Sequence, residues 1–274
     1  VAVMLELARA FAAGEKPQRP ILFIAFSGEE AGLAGARHFV DHPSPMPIDR
    51  AVGIINLDTV GRLRSGKVQV LGAGTAAEWP HIFRGGTFVT GVESTAIPGN
   101  FEASDQRAFI ERGIPGVQIF TGPHEDYHRP GDTADRIDVD GLVKVATLVK
   151  EAVGYLASRA EPMTITIAGA GATTGAPPAA GPAQQGARRV TFGAVPDFEF
   201  QGPGVKLSGV SPGSPAEHAG LRAGDVVEKL DGRPVGSLAE FSAVLRTLSA
   251  GQEVEVVFAR GDARQTARVT VVER

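Results

Sequence analysis

Residues 167–187 limit most strongly how this chain can fold. They read IAGAGATTGAPPAAGPAQQGA, which is Gly, Ala and Pro with almost no bulky apolar side chain. Such a segment cannot bury enough apolar surface to offset the entropy lost when its backbone is ordered. We therefore predict a linker over residues 163–188, which separates a domain at 1–162 from a smaller domain at 189–274.

The composition is ordinary for a soluble globular protein and argues against several classes of partner. Hydrophobic residues make up 43% of the 274 residues, and charged residues make up 21%. The formal net charge of -4 gives no reason to expect nucleic acid or an anionic membrane as a partner. No apolar run reaches about 18 residues, so we predict no membrane span in this chain. Because cysteine is absent, any metal must be held by His, Asp and Glu.

The N-terminal stretch VAVMLELARAFAAG has the pattern of a helix without a beginning. Its apolar residues recur at helical spacing, namely Val1, Met4, Leu5, Ala8, Phe11 and Ala12. No Ser, Thr, Asp or Asn precedes them as a cap. We expect a helix entered partway, and hence a fragment whose upstream sequence would carry any export signal.

The first 160 residues alternate between patterns of strands and patterns of helices. Buried strands are predicted for three apolar runs: ILFIAF (21–26), AVGIINLD (51–58) and GVQIFTG (116–122). Helices are predicted at 29–42 and at 138–160, the second capped by Asp138 or Asp140. The inner face of the first is expected to contain Leu33, Ala36, Phe39 and Val40. This alternation predicts a three-layer α/β domain.

The residues after the linker predict a smaller domain that consists mainly of strands. A strand is expected at 205–210, followed by a short helix and a hairpin that turns at Asp231-Gly232. A helix at 237–248 has Ser237 as its cap and Glu240 to complete a capping box. A second hairpin turns at Gly261-Asp262, and the elements together predict a small β-barrel with two helices.

Acidic and histidine residues follow the predicted strands of the first domain where each strand ends. Glu29 and Glu30 follow the first strand, Asp58 ends the second, and the third leads into a loop with two histidines. Ligands of open α/β sheets gather outside the carboxyl ends of the strands. Zinc accepts His and carboxylate ligands, and a second glutamate can act as general base on a zinc-activated water. This placement predicts a metal site.

Each of these residues also has an ordinary structural explanation. The dipole at a helix N-terminus favours acidic residues such as the Glu pair. Asp58 is a residue type that forms turns at strand ends, and a histidine in a polar loop is often a surface residue. Their joint placement favours the metal site over each explanation taken alone.

Residues 124–128 read HEDYH, which matches the HExxH signature of zinc proteases. That motif requires a helix, because only there do residues i and i+4 share a face. Gly122-Pro123 precedes the pentapeptide, and Pro130 disfavours helical geometry at Arg129. We therefore predict a loop, which disfavours an HExxH protease and leaves one histidine as a ligand with partners elsewhere.

Four separated motifs resemble metallopeptidase family 28, the two-zinc aminopeptidases. They are FSGEEAGLAGARHFV, IINLDTVGR, SDQRAFIERGIPGVQIFTG and HEDYHRPGDTADRID, in the order of the family. The resemblance covers about residues 1–160 and implies an aminopeptidase-type α/β/α domain with a mostly parallel mixed sheet. It also implies two Zn2+ ions per intact active site.

The resemblance assigns roles to individual residues. Glu29 is the general base, Glu30 and His128 ligate one zinc, and Asp58 ligates the other. Tyr127 hydrogen-bonds the developing oxyanion. His124 has no role in the family, and Asp132 is expected to orient the loop or His128 without touching the metal.

The chain departs from the family in two respects. A further zinc histidine and a zinc-bridging aspartate belong to a stretch upstream of this chain, so each zinc loses protein ligands. We expect the chain as given to bind zinc poorly and to be nearly inactive, while the intact parent is a peptidase. Gln106 completes the sequence SDQ at a place where SDH is commoner in the family. The glutamine replaces a histidine and so removes an ionisable group near the site.

The second domain resembles PDZ domains of bacterial proteases through GPGVKLSGVSPGSPAEHAGLRAGDVVEKLDGRPV. Such domains bind a peptide or protein C-terminus by adding it as a strand. The resemblance implies a groove between the strand at 205–210 and the helix at 237–248. The residues expected there are Gly202, Pro203, Gly204, Val205, Lys206 and Leu207. The alternative is a PDZ fold that only packs against or spaces the peptidase.

Together these features predict a zinc-dependent aminopeptidase that hydrolyses N-terminal residues of peptides through a metal-activated water. The PDZ domain is expected to recruit a substrate or partner. The alternative is a catalytically inactive relative that serves as a binding or scaffold protein. Resemblance to the family further implies export to the periplasm or the cell exterior.

Overall fold

The structure is a computed structural model that describes residues 1–14, 16–99, 104–167, 190–197, 200 and 202–273. The chain divides into two compact units, one within residues 1–178 and the other formed mainly by residues 179–274. From residue 168 onward, the predicted linker lies outside the described residues. No helix in the described part of the chain has the length and apolar character needed to cross a membrane.

Three predicted helices of the first unit are confirmed, although residues 29–33 of the helix predicted at 29–42 form turns. In the described residues the helices are α1 (Ala2–Ala13), α2 (Ala34–Asp41), α3 (Trp79–Thr90), α4 (Gln106–Ile110) and α5 (Val139–Ser158). Asp138 caps α5, since its Oδ1 accepts a hydrogen bond from the amide of Gly141 at 2.9 Å. Leu33, Ala36 and Val40 are buried as expected for the inner face at α2.

The buried face of α1 is not the one that contains Val1 and Leu5. Val3 and Leu7 are buried, whereas Val1 is 78% exposed and Leu5 is 60% exposed. The helix is apolar on more than one side, so the spacing of its apolar residues does not decide which side packs. Packing against α5 selects the side of Val3 and Leu7.

A four-stranded mixed sheet forms the centre of the first unit. Its strands are β1 (Ile54–Leu57), β2 (Val68–Leu71), β3 (Ser94–Ile97) and β4 (Gly116–Phe120), in the order β1-β4-β2-β3. The pairs β1–β4 and β2–β3 are parallel, while β2 and β4 are antiparallel. β1 and β4 confirm two predicted strands, and every residue of β4 is buried.

Residues 21–28 do not form a strand, so the prediction made from ILFIAF is wrong. Leu22 is 45% exposed, and Phe26 packs against Phe39 and Phe109 with ring centroids 5.9 Å apart in both pairs. An apolar run reports a tendency to be buried, but a strand also needs a hydrogen-bonding neighbour. Among the described residues, β1 has only β4 beside it in the sheet.

Two hydrophobic clusters flank this sheet. One joins Val117 and Ile119 of β4 with side chains of α1, α3 and α5, and the other joins α2 with α4. Because side chains alternate along a strand, Gln118 points to the side opposite Val117 and Ile119. Gln118 therefore faces α4, where it meets the polar side chain of Gln106.

The first unit continues beyond residue 162, where its domain was predicted to end. The amide of Ala77 donates to Thr164 O at 3.0 Å, and the amide of Thr166 donates to Thr75 O at 3.1 Å. Met163 is buried. Residues 163–167 therefore belong to the first unit and not to a linker.

The second unit is rich in strands. They are β5 (Val190–Thr191), β6 (Ala194–Pro196), β7 (Val205–Val210), β8 (Val226–Leu230), β9 (Arg233–Pro234), β10 (Glu253–Arg260), β11 (Ala263–Thr270) and β12 (Val272–Glu273). The main sheet has the order β11-β10-β8-β7-β6, with β9 on β8, and β12 pairs with β5. Two ends are therefore left in the described sheet, at β11 and β6, and a closed barrel is not confirmed.

Local signals in this unit are confirmed. Helices α6 (Pro215–His218) and α7 (Leu238–Thr247) begin after Ser214 and Ser237, which both accept capping hydrogen bonds. Asp231 and Gly232 have φ of 52° and 72°, as the turn of the predicted hairpin requires. Glu240 bonds the amide of Gly236, not that of Ser237, at 2.6 Å.

Candidate active site

Glu29 and Glu30 lie in the turn that leads into α2. The amide of Leu33 donates to Glu29 O at 2.8 Å, and Gly28 and Gly32 have φ of 68° and 90°. These left-handed glycines let the backbone reverse on either side of the pair. The first turn of α2 contains no acidic residue, so the helix dipole does not account for the two glutamates.

Asp58 follows β1 directly, and neutral groups hold its carboxylate. Thr59 Oγ1 donates to Asp58 Oδ1 at 3.2 Å, and Gln118 Nε2 donates to Oδ2 at 3.4 Å. The amide of Asp58 donates to Ile119 O at 3.3 Å, which continues the pairing of β1 with β4. The carboxylate is thus placed at the end of the sheet without being neutralised by these contacts.

Gln106 belongs to a buried network behind Asp58. It is 0% exposed, and its Oε1 accepts a hydrogen bond from Asn56 Nδ2 at 2.9 Å. Its Nε2 donates to Gln118 Oε1 at 3.5 Å, and Gln118 in turn reaches Asp58. Asn56 Nδ2 also donates to Ser104 Oγ at 2.9 Å. The sequence leaves the role of Gln106 in doubt. In the structure its side chain holds Gln118, which in turn donates a hydrogen bond to Asp58.

Asp105 is a candidate functional residue to which the sequence patterns assign no role. It is 9% exposed, and its Oδ1 has no hydrogen-bond partner among the described residues. Burial, and secondly the charge of Asp58, raise the pKa of Asp105 to about 6. It occupies the N-cap position of α4 without making a capping hydrogen bond. The signal available in the sequence was the position of this Asp directly before a helix.

The loop that carries both histidines is not helical, which confirms the interpretation of the flanking prolines. The rings of Tyr127 and His128 stack with centroids 3.9 Å apart, and His128 has a left-handed φ of 57°. Both side chains are exposed. His124 is less exposed, and burial lowers its pKa.

Arg62 ties this loop to the segment that follows Asp58. Its side chain is 4% exposed, its Nη2 donates to Asp132 Oδ1, and its Nη1 lies 3.6 Å from Asp126 Oδ2. Asp132 Oδ2 lies 3.8 Å from His124 Nε2. Asp132 thus contacts a buried arginine and lies close to His124.

A full set of zinc ligands is not assembled in the described residues. No group of three or more His, Asp or Glu side chains in that part of the chain could hold a metal ion. Glu30, Asp58 and His128, the ligands implied by the family resemblance for two zinc ions, therefore do not form such a group in the described residues. The carboxyl groups of Asp58 and Asp105 are close enough to interact, and Asp105 has a buried unpaired oxygen. This pair is chemically suited to a cation such as zinc.

The peptide groove expected on β7 requires a correction, because both edges of β7 are already hydrogen-bonded. Toward β8, the amide of Leu207 donates to Asp225 O at 2.7 Å. Toward β6, Lys206 O accepts from the amide of Asp197 at 2.8 Å. A peptide adds as a strand at a free edge, whereas β7 is paired with β8 on one side and with β6 on the other.

The expected carboxylate loop, Gly202, Pro203 and Gly204, is also partly occupied. The amide of Gly204 donates to Gly236 O at 3.2 Å, so it is not available to a peptide carboxylate. Proline has no amide hydrogen at all. Among the described residues, the end of the sheet on this side is β6.

Comparisons with known proteins match two regions of the chain to protein families. Residues 1–153 match Peptidase family M28, and residues 192–271 match the PDZ domain family. Aminopeptidase YwaD of Bacillus subtilis (strain 168) is 32% identical over 175 residues, which cover 60% of this chain and 38% of that protein. Magnetosome formation protease MamE of Paramagnetospirillum magneticum (strain ATCC 700264 / AMB-1) is 48% identical over 69 residues, covering 25% of this chain and 10% of that protein.

A solved structure supports the fold of the first unit. BSAP, a zinc aminopeptidase from Bacillus subtilis, superimposes with a TM-score of 0.52 at 29% identity, covering 58% of this chain and 41% of that structure. The mixed α/β fold of the first unit is therefore aminopeptidase-like. The chain spans less than half the length of each of these relatives.

Proposed function

Since the chain belongs to peptidase family M28 and also carries a PDZ domain, we propose that it acts as a zinc-dependent aminopeptidase on peptides. The relatives of its first unit are named as aminopeptidases, one of them as a zinc enzyme, which supports a hydrolase. The observation that carries the proposal is the match of residues 1–153 to Peptidase family M28, and the carboxyl groups of Asp58 and the buried Asp105 support it as a place where a cation could bind.

The proposed roles are those that the family resemblance implies for five side chains. Glu30 and His128 would hold one zinc, and Asp58 would hold the other. Zinc, when bound, supplies a Lewis acid that polarises the scissile carbonyl and makes a water acidic at neutral pH. Glu29 accepts the proton of the attacking water, and the Tyr127 hydroxyl donates a hydrogen bond to the carbonyl oxygen as it gains charge.

The Glu pair provides the sharpest test, because the two neighbours have different proposed roles. In the full-length protein, Glu29→Gln should lower the turnover of an aminoacyl anilide by about 10²–10⁴-fold with zinc content unchanged. Glu30→Gln, the matched variant, should lose zinc together with activity. Zinc content is measured by atomic absorption. Loss of zinc in Glu29→Gln, or full turnover in it, would contradict these roles.

A catalytically inactive binding protein is the second candidate. It is favoured by the observation that no group of three metal-binding side chains exists in the described part of the chain. Hydrolysis by the full-length protein separates the two candidates. An enzyme loses turnover in a zinc chelator and regains it with added zinc, whereas an inactive relative shows no turnover in either state.

For the second unit we propose that the PDZ domain recruits peptide or protein C-termini, with β6 and not β7 as the receiving edge. The occupied edges of β7 support this choice. Fluorescence anisotropy with a peptide and its C-terminally amidated form tests it. Equal affinity for both forms would favour a domain that only packs against or spaces the peptidase.

Two further features are also proposals, namely export from the cytoplasm and a three-layer arrangement of the first unit. The domain limits are a third proposal: the first domain ends at residue 167 or later, not at 162, and the second begins near residue 189.

A further inference from the structure

Arg62 is a buried residue whose ion-pair partners lie in a distant segment of the sequence. Its side chain is only 4% exposed, and charged side chains are almost never so buried unless they are paired. Both of its partners, Asp126 and Asp132, belong to the loop that carries Tyr127 and His128. Its Nη1 has the ion pair with Asp126 but no hydrogen bond.

The backbone of Arg62 is anchored to the sheet. Its amide donates to Thr121 Oγ1 at 3.3 Å, and Thr121 Oγ1 donates to Thr59 O at 2.8 Å. Thr121 follows β4, and Thr59 follows Asp58 at the end of β1. The guanidinium therefore extends from a segment whose position is fixed by the same two strands that place Asp58.

The loop, in contrast, has no regular structure to hold it. The amides of Tyr127, Arg129 and Asp132 donate to carbonyl oxygens three residues earlier, at 3.0, 2.9 and 3.0 Å, so the loop is a succession of turns. A Cβ at Gly131 would lie 3.1 Å from Asp126 Oδ1, which shows how closely the turns pack.

The conformation of His128 also needs support from outside the loop. Its φ of 57° is uncommon for a residue other than glycine, and such conformations persist only where the surroundings determine them. Asp126 and Asp132 lie on either side of Tyr127 and His128 in the sequence. Arg136 Nη1 holds Asp126 at 2.6 Å to both oxygens, so Asp126 is fixed from two directions.

We propose that Arg62 is a positioning residue, which holds the loop of Tyr127 and His128 at a fixed place relative to Asp58 by binding Asp126 and Asp132. The guanidinium suits this role because its planar fork can bind two carboxylates at once, whereas an ammonium group is a single point charge. The inference rests on the proposed function for the roles of Asp58, Tyr127 and His128. The contacts themselves do not depend on that function.

Hydrogen exchange in the full-length, zinc-free protein tests the position of the loop without reference to activity. Arg62→Met should speed amide exchange over residues 123–133 by about tenfold or more, and Arg62→Lys should fall between this variant and the wild type. Arg64→Met is the matched control, since Arg64 is exposed and lies in the same segment. It should leave exchange in the loop unchanged. Equal exchange in Arg62→Met and Arg64→Met would overturn the proposal.

Kinetics and zinc affinity distinguish positioning from a general structural role. Misplacement of the loop by about 1 Å should lower kcat by about 10²-fold and change KM much less, because Tyr127 acts on charge that develops during the reaction. Affinity for zinc at the site of His128, measured by competition with a chelating dye, should fall in parallel. Arg62→Lys should recover part of both losses. A change in KM alone would contradict a positioning role.

A variant without buried charge covers the case in which Arg62→Met fails to fold. The triple variant Arg62→Met, Asp126→Asn and Asp132→Asn removes the ion pairs without leaving a carboxylate unpaired. It should fold, as judged by Trp79 fluorescence, and still show fast exchange in the loop. Wild-type exchange in this variant would overturn the proposal. If the wild type shows no zinc-dependent hydrolysis, the proposed function fails. The exchange comparison then still decides whether Arg62 holds the loop in place.

Discussion

Two buried aspartates, one in each unit, are treated in opposite ways by their surroundings. Asp225 in the second unit is 0% exposed, and Arg260 Nε and Nη2 donate to its two oxygens at 2.7 Å each. The amide of Arg222 adds a third hydrogen bond at 2.9 Å. Burial acts to raise the pKa of Asp225, but the hydrogen bonds from Arg260 and Arg222 outweigh it, and the pKa is lowered.

Asp105 in the first unit has no such partner for its Oδ1 among the residues that the structure describes, and its pKa is raised to about 6 by burial and then by Asp58. The second unit thus supplies the buried Asp225 with hydrogen bonds from its own residues, as expected of a buried charge that serves stability alone. The first unit leaves a buried carboxyl group unsatisfied beside another carboxylate. Asp105 Oδ1 thus lacks a partner among the described residues, and the cation of the proposed function would supply one.

The largest expected effect comes from breaking the satisfied pair. Arg260→Met leaves Asp225 buried without its counter-charge and should destabilise the second unit by about 3–5 kcal/mol. Calorimetry of the full chain measures the loss. Trp79, the only tryptophan of the chain and part of the first unit, should report an unchanged transition by fluorescence.

Arg264→Met is the matched control for this change. Arg264 pairs with Glu228 on the surface, where its side chain is 72% exposed, so its removal should cost no more than about 1 kcal/mol. Equal losses in the two variants would show that burial does not set the value of the Asp225 pair.

The opposite result is expected when the unsatisfied carboxyl is removed. Since the folded pKa of Asp105 is raised to about 6, the folded state binds more protons than the unfolded state between about pH 4 and 6, and stability falls as pH rises through this range. Asp105→Asn should therefore stabilise the first unit above pH 6, by at most about 3 kcal/mol. Urea unfolding followed by Trp79 fluorescence, with a chelator present, measures this gain.

The same pair of proteins at pH 4 provides the control. There the wild-type carboxyl keeps its proton in the folded state, and the two proteins should have nearly equal stability. A variant that is less stable than the wild type at pH 8 would mean that Asp105 is satisfied by a contact within the chain.

A smaller loss is expected from the network behind Asp58. Gln106→Leu removes one hydrogen-bond partner each from Asn56 and Gln118 and should destabilise the first unit by about 1–3 kcal/mol. The fluorescence transition of Trp79 follows this change. An unchanged midpoint would show that the two side chains find other partners and that the network does not support Asp58.

The smallest loss of stability is expected from a helix cap at the surface of the second unit, which serves as a reference for an ordinary polar contact. Ser237→Ala removes the cap of α7 and should cost about 1 kcal/mol in calorimetry. A loss as large as that of Arg260→Met would remove the distinction between a surface cap and a buried ion pair.

Local signals in the sequence predict much of the fold. The strand pattern of β4, the Asp138 cap of α5 and the Asp231-Gly232 turn each act within a few residues, and each is confirmed. Non-local features were less accessible. ILFIAF predicts a strand at 21–26, but whether a neighbour pairs with it depends on distant residues.

In the candidate site, too, local features could be predicted from the sequence and non-local ones could not. The motifs single out Glu29, Asp58 and His128, but nothing in their spacing identifies Arg62 as the link between two of those motifs. The peptide edge of β7 was predicted wrongly for a similar reason, because its pairing with both β6 and β8 joins separate segments. Sequence patterns report what a residue can do, while the pairing of distant segments decides which groups remain available.

X-ray diffraction from zinc-soaked crystals of the full-length protein, recorded on both sides of the zinc absorption edge, tests the central claim most directly. We expect an anomalous peak within about 2.2 Å of an Asp58 carboxylate oxygen, and a second peak shared by Glu30 and His128. Crystals that hold zinc only at other residues, with Asp58 and Asp105 still facing no cation, would contradict the account.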